Sequence, residues 1–296
     1  MASGISGRTK ICGIFGCPVE HTFSPAIHNA AFAAAGLDYA YVPFRVEPRR
    51  LAAAVEALRA LGMVGVNVTI PHKETVLPLL DELSDEAKLI GAVNTIVNRS
   101  GKLYGDNTDG KGYLRALREA GFDPAGKNVL FLGAGGAARA VAMQLALAGV
   151  KKIIFANRTG RRAGELARSV AEATGIQAET IPWPDQAGGQ LPAWVLAESG
   201  LVVQATPLGM SPNIDEAVPL PFEVFRPGQV ASDLIYNPVE TLFLKKAGQA
   251  GADTVNGMGM LLHQGTLAFE LWTGAAAPLE VMRAALKKEL ATWGQA

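Results

Sequence analysis

Two sets of residues in this sequence combine types and spacings that could do chemistry. One is Lys73 with Asp109. A lysine held by a carboxylate beside a pocket can donate a proton to an oxygen that is gaining charge, which is what a ketone needs as hydride reduces it. A solvated lysine on a short helix is the plain alternative. The other set is Val129-Leu-Phe-Leu-Gly133-Ala134-Gly135-Gly136-Ala137-Ala138-Arg139, an apolar run entering a glycine-rich turn and then a helical run. Gly133 allows a tight turn, and Gly135 leaves room for a pyrophosphate. Ala138 replaces the usual third glycine and is small enough for the helix to pack on the strand. N–H groups at the helix start would hold phosphates. A simple strand-to-helix turn is the alternative here.

The following strand bears on which dinucleotide would bind. NAD-binding folds place an acidic residue at its end to grip the ribose hydroxyls. Here the strand ends Phe155-Ala156-Asn157-Arg158-Thr159, with Arg162 three residues beyond and no carboxylate. Two guanidinium groups one helical turn apart match a phosphate, so a 2′-phosphate and NADP are expected. The alternative, two solvated arginines at a helix start, is disfavoured because the helix N-terminus repels cations.

Three polar clusters interrupt apolar surroundings: His21-Thr22-Phe23-Ser24-Pro25-Ala26-Ile27-His28-Asn29, Asn67-Val68-Thr69-Ile70-Pro71-His72-Lys73, and Asn94-Thr95 with Asp106-Asn107-Thr108-Asp109. Ser24-Pro25 reads as an N-cap followed by proline at the first helical position. Asn67 and Thr69 alternate with Val66 and Val68 and so share one face of a strand. Their hydroxyls and amides suit a polyhydroxylated acid.

These residues need elements to position them. Short β-rich runs alternate with Ala- and Leu-rich helical runs, the mark of α/β architecture with mainly parallel sheets. The first half reads as strand Lys10–Gly16, helix Ser24–Gly36, strand Tyr39–Val46, helix Arg49–Leu61, strand Val64–Thr69, a short helix after Pro71, strand Ala92–Asn98 and a turn at Arg99–Lys102. The second reads as helix Gly110–Ala120, strand Asn128–Leu132, helix Ala137–Ala148, strand Lys152–Ala156, helix Gly160–Thr174 and strand Ile176–Ile181. A loop at Pro182–Pro192, strands Leu201–Ala205 and Val230–Ile235, and helices Met258–Trp272 and Pro278–Trp293 complete it. The pattern alone gives domains of 1–109 and 110–257, with a last helix pair that could cap either.

The chain has 296 residues, 49% of them hydrophobic, enough for two cores. Lys plus Arg and Asp plus Glu number 27 each, which argues against a nucleic-acid-binding stripe. No run of about 18 apolar residues suggests a membrane helix, and Met1–Lys10 lacks the apolar stretch of a signal peptide. Cys12 and Cys17 form a lone C-x4-C, read as reduced thiols and not as a metal site. A cytoplasmic protein with no metal is the expectation.

Taken in order, Gly16–Asn29, Asn67–Lys73, Gly91–Thr95, Gly105–Gly110, Gly133–Arg139, Asn157–Arg162, Thr206–Met210, Asp233–Pro238 and Asn256–Gln264 resemble the shikimate dehydrogenases over nearly the whole chain. The resemblance implies an N-terminal α/β substrate domain, a Rossmann-type doubly wound NADP domain, and C-terminal helices that return to the first (1–109 plus 258–296, and 110–257). It implies reduction of 3-dehydroshikimate to shikimate, with Lys73 as catalytic acid/base and Asp109 as its partner. Thr22, Ser24, Asn67, Thr69, Asn94, Tyr236 and Gln264 would line the substrate with Lys73 and Asp109. Gly133, Ala134, Gly135, Gly136 and Ala137 would hold the pyrophosphate, and Asn157, Arg158, Thr159 and Arg162 the phosphorylated ribose. Thr206, Leu234 and Gly257 would lie along the cofactor, with Asp85 nearby. Tyr236 could instead be a buried tyrosine at a strand end, and Asp85 a first-turn carboxylate. Thr22 stands where serine is usual and Gln204 where asparagine is common. Shikimate or 3-dehydroshikimate is the expected small-molecule partner, with no nucleic acid or membrane, and a homodimer is one expected assembly. A quinate-active or NAD-using relative and a non-catalytic NADP-binding regulator are the competing readings; the presence of both Lys73 and Asp109 argues against the regulator.

Overall fold

The computed structural model describes residues 4–184 and 191–293. The chain divides into two compact units, Met1–Thr108 with Leu262–Ala296, and Asp109–Leu261. Of the expected loop Pro182–Pro192, residues 185–190 lie outside the described residues. So do 1–3 of the polar N-terminus and 294–296 at the other end.

The first unit is built on a six-stranded sheet. Its parallel part comprises β1 (Lys10–Gly16), β2 (Tyr39–Arg45) and β3 (Gly65–Val68), connected through α1 (Ser24–Ala34) and α2 (Leu51–Ala60). Cys12, Ile14 and Phe15 of β1 are all buried, as a central strand of such a sheet requires. Then come β4 (Glu82–Leu83), α3 (Asp85–Ile90), β5 (Thr95–Arg99) and β6 (Lys102–Asp106), giving the order β2-β1-β3-β5-β6-β4.

This sheet is mixed, because β5 runs antiparallel to both β3 and β6. The reversal is local: Ser100 (φ 55°) and Gly101 (φ 92°) are both left-handed, as a two-residue hairpin turn demands. The resulting register sets Asn67 opposite Thr95 and Thr95 opposite Asp106. The end of β3, the start of β5 and the end of β6 therefore meet at one edge.

Residues 71–76 form turns, not the expected short helix, and a 3-10 turn at Leu77–Leu79 follows. Pro78 has no N–H to extend an α-helical ladder. Lys73 therefore sits in a turn, whose start is fastened by the His72 N–H to the Thr69 carbonyl at 2.9 Å.

The second unit runs α4 (Asp109–Glu119), β7 (Asn128–Leu132), α5 (Gly136–Leu147), β8 (Lys152–Ala156), α6 (Gly160–Thr174), β9 (Gln177–Ile181), α7 (Ala193–Glu198), β10 (Leu201–Gln204), β11 (Val230–Asp233), α8 (Leu242–Gln249) and β12 (Asp253–Val255). Its six strands are all parallel, in the order β9-β8-β7-β10-β11-β12. Strand order thus proceeds outward from β7 on one side and from β10 on the other, which is the doubly wound arrangement. Val129–Leu132, Ile153–Ala156 and Leu201–Val203 are buried without alternation, as expected of strands covered on both faces. On α6, Ala163, Leu166, Ala167 and Val170 are buried at helical spacing, and left-handed Gly175 (φ 74°) ends the helix. Sequence patterning did not anticipate β4, β6, α7, α8 or β12, each of two to eight residues.

The C-terminal helices are α9 (Met258–Thr273) and α10 (Leu279–Trp293). Within the first unit α10 packs on α1, and the Trp272 indole N–H donates to the Ile96 carbonyl at 3.0 Å. A side chain at Gly65 would strike both Trp272 and the Ile96 carbonyl, so this approach requires glycine. Between α1 and the sheet lies His28, fully buried, with neither ring nitrogen hydrogen-bonded. Its ring stacks on Tyr41 (centroids 4.5 Å apart, 11° between planes) and contacts Trp272 at 5.2 Å and Phe32 at 6.1 Å.

Burial pulls the His28 pKa from 6.5 to about 3. A depressed histidine contributes stability that is complete above about pH 6.5 and is lost as pH falls toward 3, because the unfolded chain takes up the proton first. His28→Phe keeps a flat ring and removes this linkage. Between pH 7 and pH 4, urea denaturation should therefore cost the wild type on the order of 2–4 kcal/mol more than the variant. Parallel pH profiles would show that His28 does not stay neutral.

Candidate functional site

In the first unit the candidate residues collect at the edge where β1, β3, β5 and β6 meet. Ser24 opens α1 but does not cap it. The cap position is Phe23, already helical (φ −88°, ψ −6°) and without a side-chain cap bond. The N-cap reading of Ser24 is thereby corrected: the residue is buried at the first position of the helix itself. Thr22 lies one residue before Phe23, and its Oγ1 accepts the Ser24 N–H at 3.3 Å.

Asn67 is the penultimate residue of β3 and is buried. Its Nδ2 donates to the Asn94 carbonyl (3.2 Å) and to Thr95 Oγ1 (3.1 Å), and its Oδ1 accepts from Tyr41 Oη (2.8 Å). Asn94 Oδ1 accepts the Thr108 N–H at 2.7 Å, and its Nδ2 donates to Thr108 Oγ1 at 3.0 Å. Thr69 lies just past the end of β3, half-buried, against Gly16.

Lys73 is half-buried, and its carbonyl accepts the Val93 N–H at 2.8 Å. His72 anchors the same turn: its Nε2 lies 2.6 Å from the Val46 carbonyl, which can only accept, so Nε2 carries the hydrogen. Asp109 is buried in the first turn of α4, next in the chain to Thr108, and a helix start favours a carboxylate. Gln264 is buried on α9. Asp85 is in the first turn of α3, its side chain 91% exposed and ion-paired to Lys88 at 3.0 Å.

In the second unit a cavity of about 180 Å³ opens where the strand order diverges, at the ends of β7 and β10. Gly133, Ala134, Gly135, Asn157, Arg158, Arg162, Trp183, Ala205, Thr206 and Pro207 line it. None of these is acidic. Gly133 is left-handed (φ 112°) against Ala205, so the turn needs glycine. Gly135 and Gly136, at the start of α5, face open space. Ala138 is fully buried, as close helix–strand packing requires.

Arg158 precedes α6 and Arg162 lies in its first turn, and both line the cavity. Thr159 is the N-cap of α6 and, with Gly136 and Ala137, lies beside the lining residues. Gly257 donates its N–H to the Ile235 carbonyl at 2.9 Å, and a Cβ there would strike the Leu234 carbonyl. Tyr236 follows, half-buried, its phenol pKa raised by burial.

Gln204 ends β10 with its amide filled. Oε1 accepts from Thr206 N–H (2.6 Å) and Oγ1 (2.7 Å), and Nε2 donates to the carbonyls of Thr206 (3.1 Å) and Leu208 (3.0 Å). Asp233, at the end of β11, is pushed up to about 6 by burial, against bonds from the Ile235 N–H and Thr241 Oγ1. Tyr41, His72 and Trp183 were not singled out in the sequence. Of these only His72 carried a signal, its place between Pro71 and Lys73.

Comparison with known proteins agrees with this geometry. Residues 14–96 match the shikimate dehydrogenase substrate binding domain, 116–182 the shikimate / quinate 5-dehydrogenase model, and 257–287 the shikimate 5'-dehydrogenase C-terminal domain. The chain is 55% identical to the shikimate dehydrogenase (NADP(+)) of Desulforamulus reducens, over 97% of this chain and 98% of that protein. It is similar to the crystal structure of shikimate 5-dehydrogenase from Listeria monocytogenes in complex with shikimate and NAD (39% identity, TM-score 0.91, covering 97% of this chain and 99% of that one). It is also similar to that of Thermus thermophilus in complex with NADP(H) and shikimate (37%, TM-score 0.83, 95% and 99%). The chain belongs to the NADP-dependent shikimate dehydrogenase family.

Proposed function

We propose that Lys73 and Asp109 carry the proton transfer in this family's reaction, the NADP-dependent interconversion of 3-dehydroshikimate and shikimate on the route to chorismate and the aromatic amino acids. The observation that carries the reading is the polar floor of the first unit. Ser24, Asn67 and Asn94 are buried among apolar strands, hydrogen-bonded, and next to a half-buried lysine. A ring acid with several hydroxyls supplies the partners such a floor calls for.

The second unit fits NADP. The open glycines at the start of α5 leave room for a pyrophosphate against backbone N–H groups of Gly133, Ala134, Gly135, Gly136 and Ala137. Arg158 and Arg162, with Asn157 and Thr159, would hold the 2′-phosphate ribose, and Thr206, Leu234 and Gly257 would line the rest. Asp85, solvated in its own unit, is the weakest member of the set. When bound, NADPH supplies the hydride that reduces the ketone carbon. Lys73 as the ammonium gives its proton to the oxygen that becomes the alcohol, and Asp109 holds the lysine. Thr108, tied to Asn94, immediately precedes Asp109 in the chain. Thr22 and Ser24 would take the carboxylate, and Asn67, Thr69, Asn94, Tyr236 and Gln264 the ring. The roles of 1–109 plus 258–296 as substrate domain and 110–257 as NADP domain belong to the same reading.

A cytoplasmic location is supported by the two free cysteines, Cys12 and Cys17. Homodimeric assembly is the associated expectation, and light scattering on the purified chain checks it.

Lys73→Ala should lower kcat about 10²–10⁴-fold with a small change in the KM for shikimate, followed as NADPH absorbance at 340 nm. Retained kcat would remove Lys73 from the proton transfer. Arg158→Ala should raise the KM for NADP⁺ about tenfold or more and leave NAD⁺ kinetics unchanged. Equal losses with both cofactors would sink the 2′-phosphate assignment.

A further inference from the structure

The capacity of Asn67 for hydrogen bonding is nearly filled from within its own unit. A carboxamide offers two N–H donors and two oxygen lone pairs. Both donors of Asn67 are taken, by the Asn94 carbonyl and Thr95 Oγ1, and one lone pair accepts from Tyr41. The opposite amide orientation would set Asn67 Oδ1 against the Asn94 carbonyl, oxygen to oxygen, and leave Tyr41 Oη–H facing an NH₂ group. One lone pair on Oδ1 remains.

Tyr41 itself is 2% exposed and held on every side. The side-chain amide of Asn29 bonds both its backbone N–H (2.8 Å) and its carbonyl (3.0 Å). His28 stacks on its ring and Trp272 lies at 5.9 Å. His28 and Asn29 both belong to α1, so two adjacent residues of one helix hold this tyrosine against Asn67.

We propose that Tyr41 is a positioning residue for substrate recognition: it holds Asn67 as a pure acceptor, so that the site takes a substrate ring hydroxyl as hydrogen-bond donor at Asn67 Oδ1. The proposal rests on the reading of the first unit as the shikimate-binding part. It gives the motif Ser24-Pro25-Ala26-Ile27-His28-Asn29 a purpose beyond helix initiation. It also explains why a histidine without hydrogen-bond partners is tolerated, since its flat face is what the tyrosine needs.

Tyr41→Phe keeps the ring, the stacking and the backbone bonds, and removes only Oη. The KM for shikimate should rise about tenfold, the loss of one hydrogen bond, with kcat and the KM for NADP⁺ within about twofold of wild type. Among shikimate analogues each lacking one ring hydroxyl, one should be a poorer substrate than shikimate for the wild type but nearly equivalent to it for the variant. A merely structural tyrosine would lower the melting temperature and leave KM and the analogue ranking unchanged. That outcome overturns the proposal, as does an equal rise in the KM for NADP⁺. If Tyr41→Phe is not recovered folded, His28→Leu carries the test. It removes the stacking face and keeps Oη, so the KM for shikimate should rise about threefold by partial loss of the same bond; an unchanged KM overturns the proposal. A wild type that does not turn over shikimate would overturn the shikimate reading and this proposal together, whereas wild-type turnover with an unaffected variant overturns this proposal alone.

Discussion

The antiparallel pairing of β3 with β5 is the constraint on which the polar floor of the first unit depends. In an all-parallel sheet the start of β5 would lie at the far end from the end of β3, and Asn94 could not meet Asn67. The hairpin at Ser100-Gly101 reverses the chain, and the register places Asn67 opposite Thr95. Three buried side chains, Asn67, Asn94 and Thr95, then satisfy one another, with Thr108 closing the set. Left unpaired, each such group would cost about 1–3 kcal/mol. The network is thus tolerable only as a complete set, and completeness gives the floor a single geometry.

The second unit solves a different problem with backbone. At the divergence of strand order between β7 and β10, two chain segments leave the sheet in opposite directions and a crevice opens between them. Its walls are turns, and turns need fastening. Gln204 fastens one, with all four hydrogen bonds of its amide directed to Thr206 and Leu208. Asp233 fastens another through Ile235 and Thr241, the N-cap of α8. Burial disfavours the Asp233 charge, and its pKa near 6 records that. The site-shaping turns are therefore held by fully buried side chains at the strand ends, one step behind the cavity.

What was legible in the sequence follows from the range of the interactions. Gly133 could be read because its conformation is dictated by its neighbours, and Arg158 because the missing carboxylate is a local fact. The continuous apolar strands β7, β8 and β10 announced a sheet covered on both faces. Tyr41 could not be read: its partners Asn67 and Trp272 lie far away in sequence, and in β2 it looks like any strand tyrosine. Ser24-Pro25 misled because the capping pattern is the commoner use of that pair; the helical dihedrals of Phe23 place the helix start one residue earlier. The turn at Arg99–Lys102 was legible, but the strand it leads into, β6, was not, because its five residues carry little apolar pattern of their own. The residues around Lys73 read as a helix by composition, but Pro78, six residues after His72, lacks the N–H to extend one.

The two departures from the family pattern differ in what surrounds them. At Gln204 the extra methylene sits in a fully buried site, and the amide reaches as far as Leu208, so the longer side chain makes up its length with bonds and does not open a gap. At Thr22 the hydroxyl keeps a backbone partner, the Ser24 N–H, and the residue is only half-buried. Its added methyl group lies where the chain enters α1, two residues before buried Ser24. A β-branched residue there restricts χ1. Restriction next to Ser24 stiffens the approach to the polar floor and leaves its donors and acceptors unchanged.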